Sequence, residues 1–122
     1  MTLTRPLCML VTLLLLVPLL ALSAEQRVAY QIKEQRISAK SPTLKVKQGD
    51  SLLIEWSSDE AVSIHLHGYD VLLKLTPSIP GQMKFVAHSL GRFPVSAHAQ
   101  GKEQHGKHHA EVPLLYLEVL PQ

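Results

Sequence analysis

Downstream of residue 27, short runs of alternating apolar and polar residues are separated by turn-forming residues. Alternation with a period of two is typical of half-buried β-strands, and no window shows the 3.6-residue period of an amphipathic helix. The predicted strands lie at about 28–32, 44–46, 52–56, 62–66, 71–75, 83–87, 93–97 and 114–120. Seven or eight short strands with turns about every 8–12 residues predict an all-β fold, an antiparallel Greek-key β-sandwich or barrel.

One polar segment interrupts this rhythm, residues 99–112 with the sequence AQGKEQHGKHHAEV. It contains two glycines and three histidines. A loop of this length inside a small domain is usually functional or mobile. Two hypotheses stay open for this histidine-rich loop: it contributes to a metal site, or it is a solvated tract that binds metal weakly.

The N-terminal residues have the features of a secretory signal peptide. Arg5 is the first charge, an apolar run follows, and small residues end that run. A retained membrane anchor is the alternative, but the run is shorter than the ~20 residues that span a bilayer. We therefore predict a signal peptide at 1–24, cleaved after Ser23 or Ala24. The single domain at 25–122 is then expected to have no membrane attachment.

The charge of the predicted mature domain is nearly balanced. Removing Arg5 from the 12 Lys and Arg of the chain leaves 11, against 10 Asp and Glu. Because no basic run stands out, we expect no nucleic-acid partner. The single cysteine, Cys8, lies in the predicted signal peptide, so the mature domain is expected to form no disulfide.

Sequence motifs of enzymes are missing. The chain has no nucleophile-elbow spacing, no HExxH motif and no glycine-rich phosphate loop. We therefore expect a binding protein rather than an enzyme.

Histidine is the unusual feature of the composition, since all 7 histidines lie between His65 and His109. On a strand, His65 and His67 point to the same face, roughly 6.5–7 Å apart along the chain. Gly68 permits a bend that directs both imidazoles toward one metal ion. The alternative is a polar sheet face that happens to use histidine. Asp70 is expected to cap the following turn or to hold the tautomer of a histidine.

Several segments resemble small periplasmic cupredoxin-like domains. They are residues 47–50, 57–60, HLHGYD at 65–70 and GRFPVSAH at 91–98. HLHGYD and GRF are the most specific parts, and the resemblance covers about 41–120. It implies a cupredoxin-like sandwich in the periplasm. It also implies a copper site in which a histidine near the fourth strand joins a cysteine, a second histidine and often a methionine.

The chain departs from that pattern at the thiolate ligand. By its offset from Gly91 and Phe93, the corresponding position is Ala97, and the mature domain has no other cysteine. Without a copper–thiolate bond, the His₂Cys electron-transfer site cannot form. No methionine follows His98 as an axial ligand, and Met83 is predicted to pack in the core. The resemblance therefore does not extend to blue-copper electron transfer.

Imidazole is the remaining ligand chemistry. The candidate metal ligands are His65, His67, His98, His105, His108 and His109. In a cupredoxin sandwich, the loop at 99–112 is expected at the same end as the strand terminus that carries His65 and His67. Neutral imidazole suits Cu(II), Zn(II) and Ni(II), and the Irving–Williams order favours copper. His88 is expected to be an ordinary exposed residue.

These observations predict an exported protein that holds or transfers copper through histidines, with zinc or nickel as alternatives. Another periplasmic metal-handling protein is the expected protein partner. The competing hypothesis is a metal-free cupredoxin-fold scaffold for protein interaction, since a fold does not dictate a function. Under that hypothesis, substitution of His65 and His67 leaves stability and partner binding nearly unchanged.

Overall fold

The computed structural model describes residues 24–38, 43–100 and 113–122, and in these ranges it contains β-strands and turns without a helix. The strands of the described ranges are β1 (Glu25–Lys33), β2 (Arg36–Ile37), β3 (Thr43–Lys47), β4 (Ser51–Ser58), β5 (Val62–Leu66), β6 (Val71–Leu75), β7 (Gly81–Val86), β8 (Gly91–Ala99) and β9 (Pro113–Leu120). The all-β prediction is confirmed, and each predicted strand lies within a few residues of its expected position.

One additional strand, β2, arises from a tight turn after β1. Glu34 and Gln35 have φ angles of 49° and 63°, so both adopt the left-handed conformation. This conformation at two successive residues matches the twist of an antiparallel hairpin. It pairs Ile32 with Ile37 and Lys33 with Arg36. This turn was not predicted from the sequence, because Glu34 and Gln35 stand where such turns usually have glycine or asparagine.

The strands form two mixed sheets. The four-stranded sheet has the order β2-β1-β4-β7, and the five-stranded sheet has the order β3-β9-β8-β5-β6. Two pairings are parallel, β1 with β4 and β3 with β9, whereas the others are antiparallel. The expectation of a purely antiparallel sandwich is therefore wrong in these two places. Alternation of apolar residues indicates a strand but carries no information about the direction of its neighbour.

The core lies between the sheets and is built from alternate residues of each strand. Leu52, Ile54 and Trp56 of β4 are at most 1% exposed, and the apolar residues of β5 are fully buried. Met83 is 1% exposed, which confirms its predicted packing role. Because every second residue of β5 is buried, the residues between them point away from the core.

The predicted signal peptide, apart from Ala24, lies outside the described residues. In the part of the chain that the structure describes, no helix is long and apolar enough to cross a membrane.

Candidate metal-binding face

Pairing between β5 and β8 places two of the candidate histidines, His65 and His98, on one face of the sheet. His65 lies opposite Ser96, and Ser63 lies opposite His98. Directly opposed residues in an antiparallel pair share one face of the sheet. We call this outward surface of the five-stranded sheet, formed by Ser63, His65, His67, Ser96 and His98, the histidine face.

His65 and His67 are in direct contact on this face. Their ring centroids are 4.2 Å apart, with an angle of 54° between the ring planes. Two same-face residues of a strand are roughly 6.5–7 Å apart along the backbone, so the rings lean toward each other. Both side chains are partly exposed, and 30% of the His65 side chain is accessible to solvent. The predicted pairing of these two imidazoles is thus present in the structure.

A serine from the neighbouring strand anchors His67. The Nε2 atom of His67 is 2.8 Å from the Oγ atom of Ser96, and Ser96 is only 2% exposed. The His67 backbone N–H also donates to the Pro94 carbonyl at 3.0 Å. Ser96 lies at an irregularity of β8, where the pairing with β9 shifts between Val95 and Ser96. Against β5 the register of β8 is regular, and Ser96 reaches His67 as the diagonal neighbour on the same face of the sheet.

The turn after β5 brings a carboxylate to the other histidine. Gly68 and Asp70 have φ angles of 82° and 54° in the four residues that join Leu66 to its partner Val71. The Asp70 Oδ1 atom lies 3.9 Å from His65 Nε2, and the Asp70 side chain is fully exposed. Asp70 thus lies in this turn and near His65, but beyond hydrogen-bond distance, so its predicted role in capping the turn or holding a histidine tautomer stays a prediction.

Aromatic side chains pack against Tyr69 of the same turn. The Tyr69 ring lies 4.9 Å from Phe93 in an edge-to-face arrangement and 4.6 Å from His88 in a stacked one. The Tyr69 hydroxyl donates to the Ser89 carbonyl at 3.0 Å and accepts from the Ser89 N–H at 3.1 Å. His88 is exposed as expected, but its stacking on Tyr69 gives it a structural contact that the sequence did not reveal.

The register of β5 and β8 shows where the chain leaves the sheet before the histidine-rich loop. Ala99 pairs with Val62, and the Gln100 N–H donates to the Ala61 carbonyl at 3.1 Å. The chain therefore leaves β8 beside the beginning of β5, whereas His67 follows the other end of β5. Residues 101–112 lie outside the described ranges, so the expectation that the loop at 99–112 lies at the same end as the His65/His67 strand terminus stays a prediction.

The described residues bring together only some of the predicted ligands. His98 is exposed on the histidine face, two residue pairs beyond the His65–Ser96 pair along β5 and β8. His105, His108 and His109 lie outside the described residues. Within residues 24–38, 43–100 and 113–122, no three His, Cys, Asp or Glu side chains converge as a preformed metal site. The structure thus contains a histidine pair with neighbours, not a closed coordination sphere.

Comparison with solved structures identifies the architecture of these sheets. The chain superposes on the blue copper oxidase from Nitrosomonas europaea with a TM-score of 0.59 at 15% identity, covering 81% of this chain and 40% of that one. Its TM-score with the periplasmic domain of cytochrome oxidase subunit II of Bradyrhizobium japonicum is 0.54 at 13% identity, covering 78% and 83%. The chain has a cupredoxin-like fold. The resemblance seen in HLHGYD and GRF is therefore confirmed at the level of the fold.

A third similar structure has nearly the size of this cupredoxin-like domain. It is a copper-binding protein solved in its apo form, with a TM-score of 0.52 at 13% identity, covering 79% of this chain and 88% of that one. Against the larger oxidases and the nitrite reductase that it matches, the chain spans only 40% to 65% of their length. No protein-family model and no curated protein sequence matches the chain.

Proposed function

We propose that this cupredoxin-like domain is an exported protein that binds copper through histidines and holds or transfers the ion. The observation that carries the proposal is the contact between His65 and His67, whose ring centroids are 4.2 Å apart on a partly exposed face. Imidazole nitrogen is a suitable ligand for Cu(II), and copper stands above zinc and nickel in the Irving–Williams order. Several proteins of similar fold are copper proteins, which supports this choice of metal.

Blue-copper chemistry does not fit the residues that are present. Ala97, which stands at the expected thiolate position, lies opposite Ile64 and packs against the core. Met83 is buried in the other sheet. Among the residues that the structure describes, the His₂Cys site therefore has neither its thiolate nor a methionine nearby. A role in holding or passing on the ion follows better than electron transfer, and we propose no catalytic activity.

The loop histidines are proposed as additional ligands. Pro113, where the chain enters β9, pairs with Ser96, and Ser96 in turn pairs with His65. Neighbouring strands are about 4.8 Å apart, so the start of β9 lies about 10 Å from the His65 backbone. His109 precedes Pro113 by only four residues in the sequence. Contributions from His105, His108 and His109 are consistent with this spacing.

The periplasm is the proposed location, because the sequence begins with signal-peptide features and subunit II of the Bradyrhizobium oxidase contributes a periplasmic domain of the same fold. A metal-handling protein of the same compartment is the proposed partner. In one solved complex, a subunit II domain of similar fold forms a mixed disulfide with a thioredoxin-like protein. The mature part of this chain lacks a cysteine, so its partner must bind without such a bond.

Titration of residues 25–122 with Cu(II), followed by electron paramagnetic resonance, tests the proposal. We expect one stoichiometric site with nitrogen ligands that is lost in the His65→Ala/His67→Ala double variant. His88→Ala is the matched control, since that histidine is not a proposed ligand and stacks on Tyr69 instead. A triple variant of His105, His108 and His109 measures the contribution of the loop. Weak sites that survive the double variant contradict the proposal and favour the metal-free interaction scaffold.

The same titration at several pH values provides a second test. Protons and metal ions compete for imidazole nitrogen, so binding is expected to weaken between about pH 7.5 and about pH 5. Occupancy that stays constant over this range would exclude histidine ligation.

A further inference from the structure

The carboxylate beside the histidine pair has no role in the function proposed so far. Asp70 Oδ1 lies 3.9 Å from His65 Nε2. The Asp70 side chain is fully exposed, so it is free to point into solvent instead. Asp70 adopts a φ of 54°, which is uncommon for a residue with a side chain, in the turn that joins β5 to β6. His65, His67 and Asp70 are thus gathered by one strand end and one turn.

We propose that Asp70 is the third ligand of the copper site and that the site is consequently selective for Cu(II) over Cu(I). This proposal rests on the proposed function and adds an oxygen ligand and an oxidation state to it. The three side chains do not converge in the described structure. An exposed aspartate can close a gap of this size by rotation about its two side-chain bonds, because no neighbouring packing holds it in place.

Ligand chemistry gives the selectivity. Two imidazole nitrogens and one carboxylate oxygen suit the tetragonal coordination of Cu(II), whereas Cu(I) is selected by soft thiolate and thioether sulfur. The described residues offer no such sulfur near the pair, since Met83 is buried in the opposite sheet and Cys8 lies outside them. The negative charge of Asp70 also attracts a divalent ion more strongly than a monovalent one.

Turn geometry alone is a competing explanation for this residue. Aspartate and asparagine both tolerate the left-handed conformation, so an asparagine would serve the turn equally well. Asp70→Asn therefore keeps the shape, the turn preference and one oxygen of the side chain while it removes the charge. This substitution separates a ligand role from a purely structural one.

The experiment is a pair of competition titrations, with Cu(II) in air and with Cu(I) under reducing, anaerobic conditions, on residues 25–122. We expect Asp70→Asn to lower Cu(II) affinity at least about tenfold, with a changed paramagnetic resonance spectrum, and to lower Cu(I) affinity by a much smaller factor. Glu55→Gln removes one negative charge from the exposed face of the other sheet and is the matched control. Equal unfolding midpoints of the apo variants show that the fold is intact.

Two results overturn the proposal in distinguishable ways. If Cu(II) binding needs His65 and His67 but Asp70→Asn binds Cu(II) as tightly as the parent, only the ligand role of Asp70 is wrong. The ligand role of Asp70 is also wrong if Asp70→Asn weakens the binding of Cu(II) and Cu(I) equally, because the loss of a negatively charged ligand should weaken binding of the divalent ion more. If Cu(II) binding does not depend on His65 and His67, the proposed function fails and the role of Asp70 fails with it.

Discussion

His67 and Ser96 form a side-chain hydrogen bond across two strands, with 2.8 Å between Nε2 of the imidazole and Oγ of the serine. The serine is 2% exposed, so this polar contact is nearly sealed from water. Whichever of the two atoms supplies the proton, the bond fixes the orientation of the ring and occupies one of its two nitrogens. A metal ion that binds His67 therefore meets a preset imidazole, which is how neighbouring hydrogen bonds usually tune metal ligands.

Removal of this hydroxyl is expected to affect both stability and metal binding. Ser96→Ala leaves a partly buried imidazole nitrogen without that partner, at a cost of about 1–3 kcal/mol in the free energy of unfolding. Copper affinity is expected to fall about 10-fold or more because the ring loses its orientation. Urea denaturation and Cu(II) titration measure the two effects. Ser63→Ala, on the same face, is the control, and an equal loss of affinity in both variants would contradict a specific role for Ser96.

The contact between Gly68 and Phe93 gives a second prediction. A Cβ atom at Gly68 would lie 2.5 Å from Phe93 Cδ1, and the glycine has a φ of 82°. Gly68→Ala is therefore expected to destabilise the domain by about 2 kcal/mol or more, through steric overlap and backbone strain. Thermal or urea unfolding measures the loss.

A double-mutant cycle separates these two causes. Phe93→Leu makes room beside residue 68 without changing its backbone, so it should recover only the steric part of the loss. Independent, additive effects of Gly68→Ala and Phe93→Leu would show that the overlap contributes nothing.

Much of this arrangement could be predicted from the sequence, because period-two alternation directly reports which strand residues face the core. That pattern located β5 and placed His65 and His67 together on its outer face. It could not supply the register, which depends on hydrogen bonds between distant segments. The partnership of His67 with Ser96 and the exit of the loop beside Ala61 both follow from the register of β5 against β8. Neither has a local signal in the sequence.

The parallel pairings were missed for a related reason. β1 pairs in parallel with β4, and β3 with β9, across long stretches of intervening chain. Turn residues indicate where adjacent strands reverse, but they say nothing about which distant strands meet. The family resemblance implied a cupredoxin-like sandwich, without stating which strands pair in parallel. It was least informative about ligands, because Ala97 stands where the family pattern requires a thiolate.

An exposed carboxylate at the start of β1 leads to a prediction about pH. A hydrogen bond from Lys84 is the main reason that the pKa of Glu25 lies below its ordinary value of 4.5; desolvation opposes this shift, and Arg27 adds to it. A lowered pKa in the folded state contributes stability above the unfolded-state value, and this stability is lost as the pH falls through the folded-state value. Lys84→Gln is expected to raise the pKa of Glu25 and to weaken this pH dependence.

Titration of the Glu25 carboxyl by NMR between about pH 2 and about pH 7 checks the direction of that shift. Lys45→Gln is the control, because Lys45 lies 3.8 Å from Glu118 on the other sheet. A Glu25 pKa that stays the same in Lys84→Gln would show that the 3.3 Å approach of Lys84 to Glu25 does not persist in solution.

The hydroxyl of Tyr69 stabilises the turn at residues 67–70, which follows β5. It donates to the Ser89 carbonyl and accepts from the Ser89 N–H, so one atom joins the turn after β5 to the turn before β8. Tyr69→Phe keeps the ring contacts with Phe93 and His88 but removes both hydrogen bonds. We expect a loss of about 1–2 kcal/mol in stability, with faster amide exchange at Ser89. Copper affinity should change little, because the strand register, rather than this hydroxyl, holds His65 and His67.

Tyr116→Phe is the control, since its ring still faces Arg92 at 4.0 Å. A large loss of copper affinity in Tyr69→Phe would contradict this expectation and would show that the hydrogen bonds between the two turns also position the metal ligands.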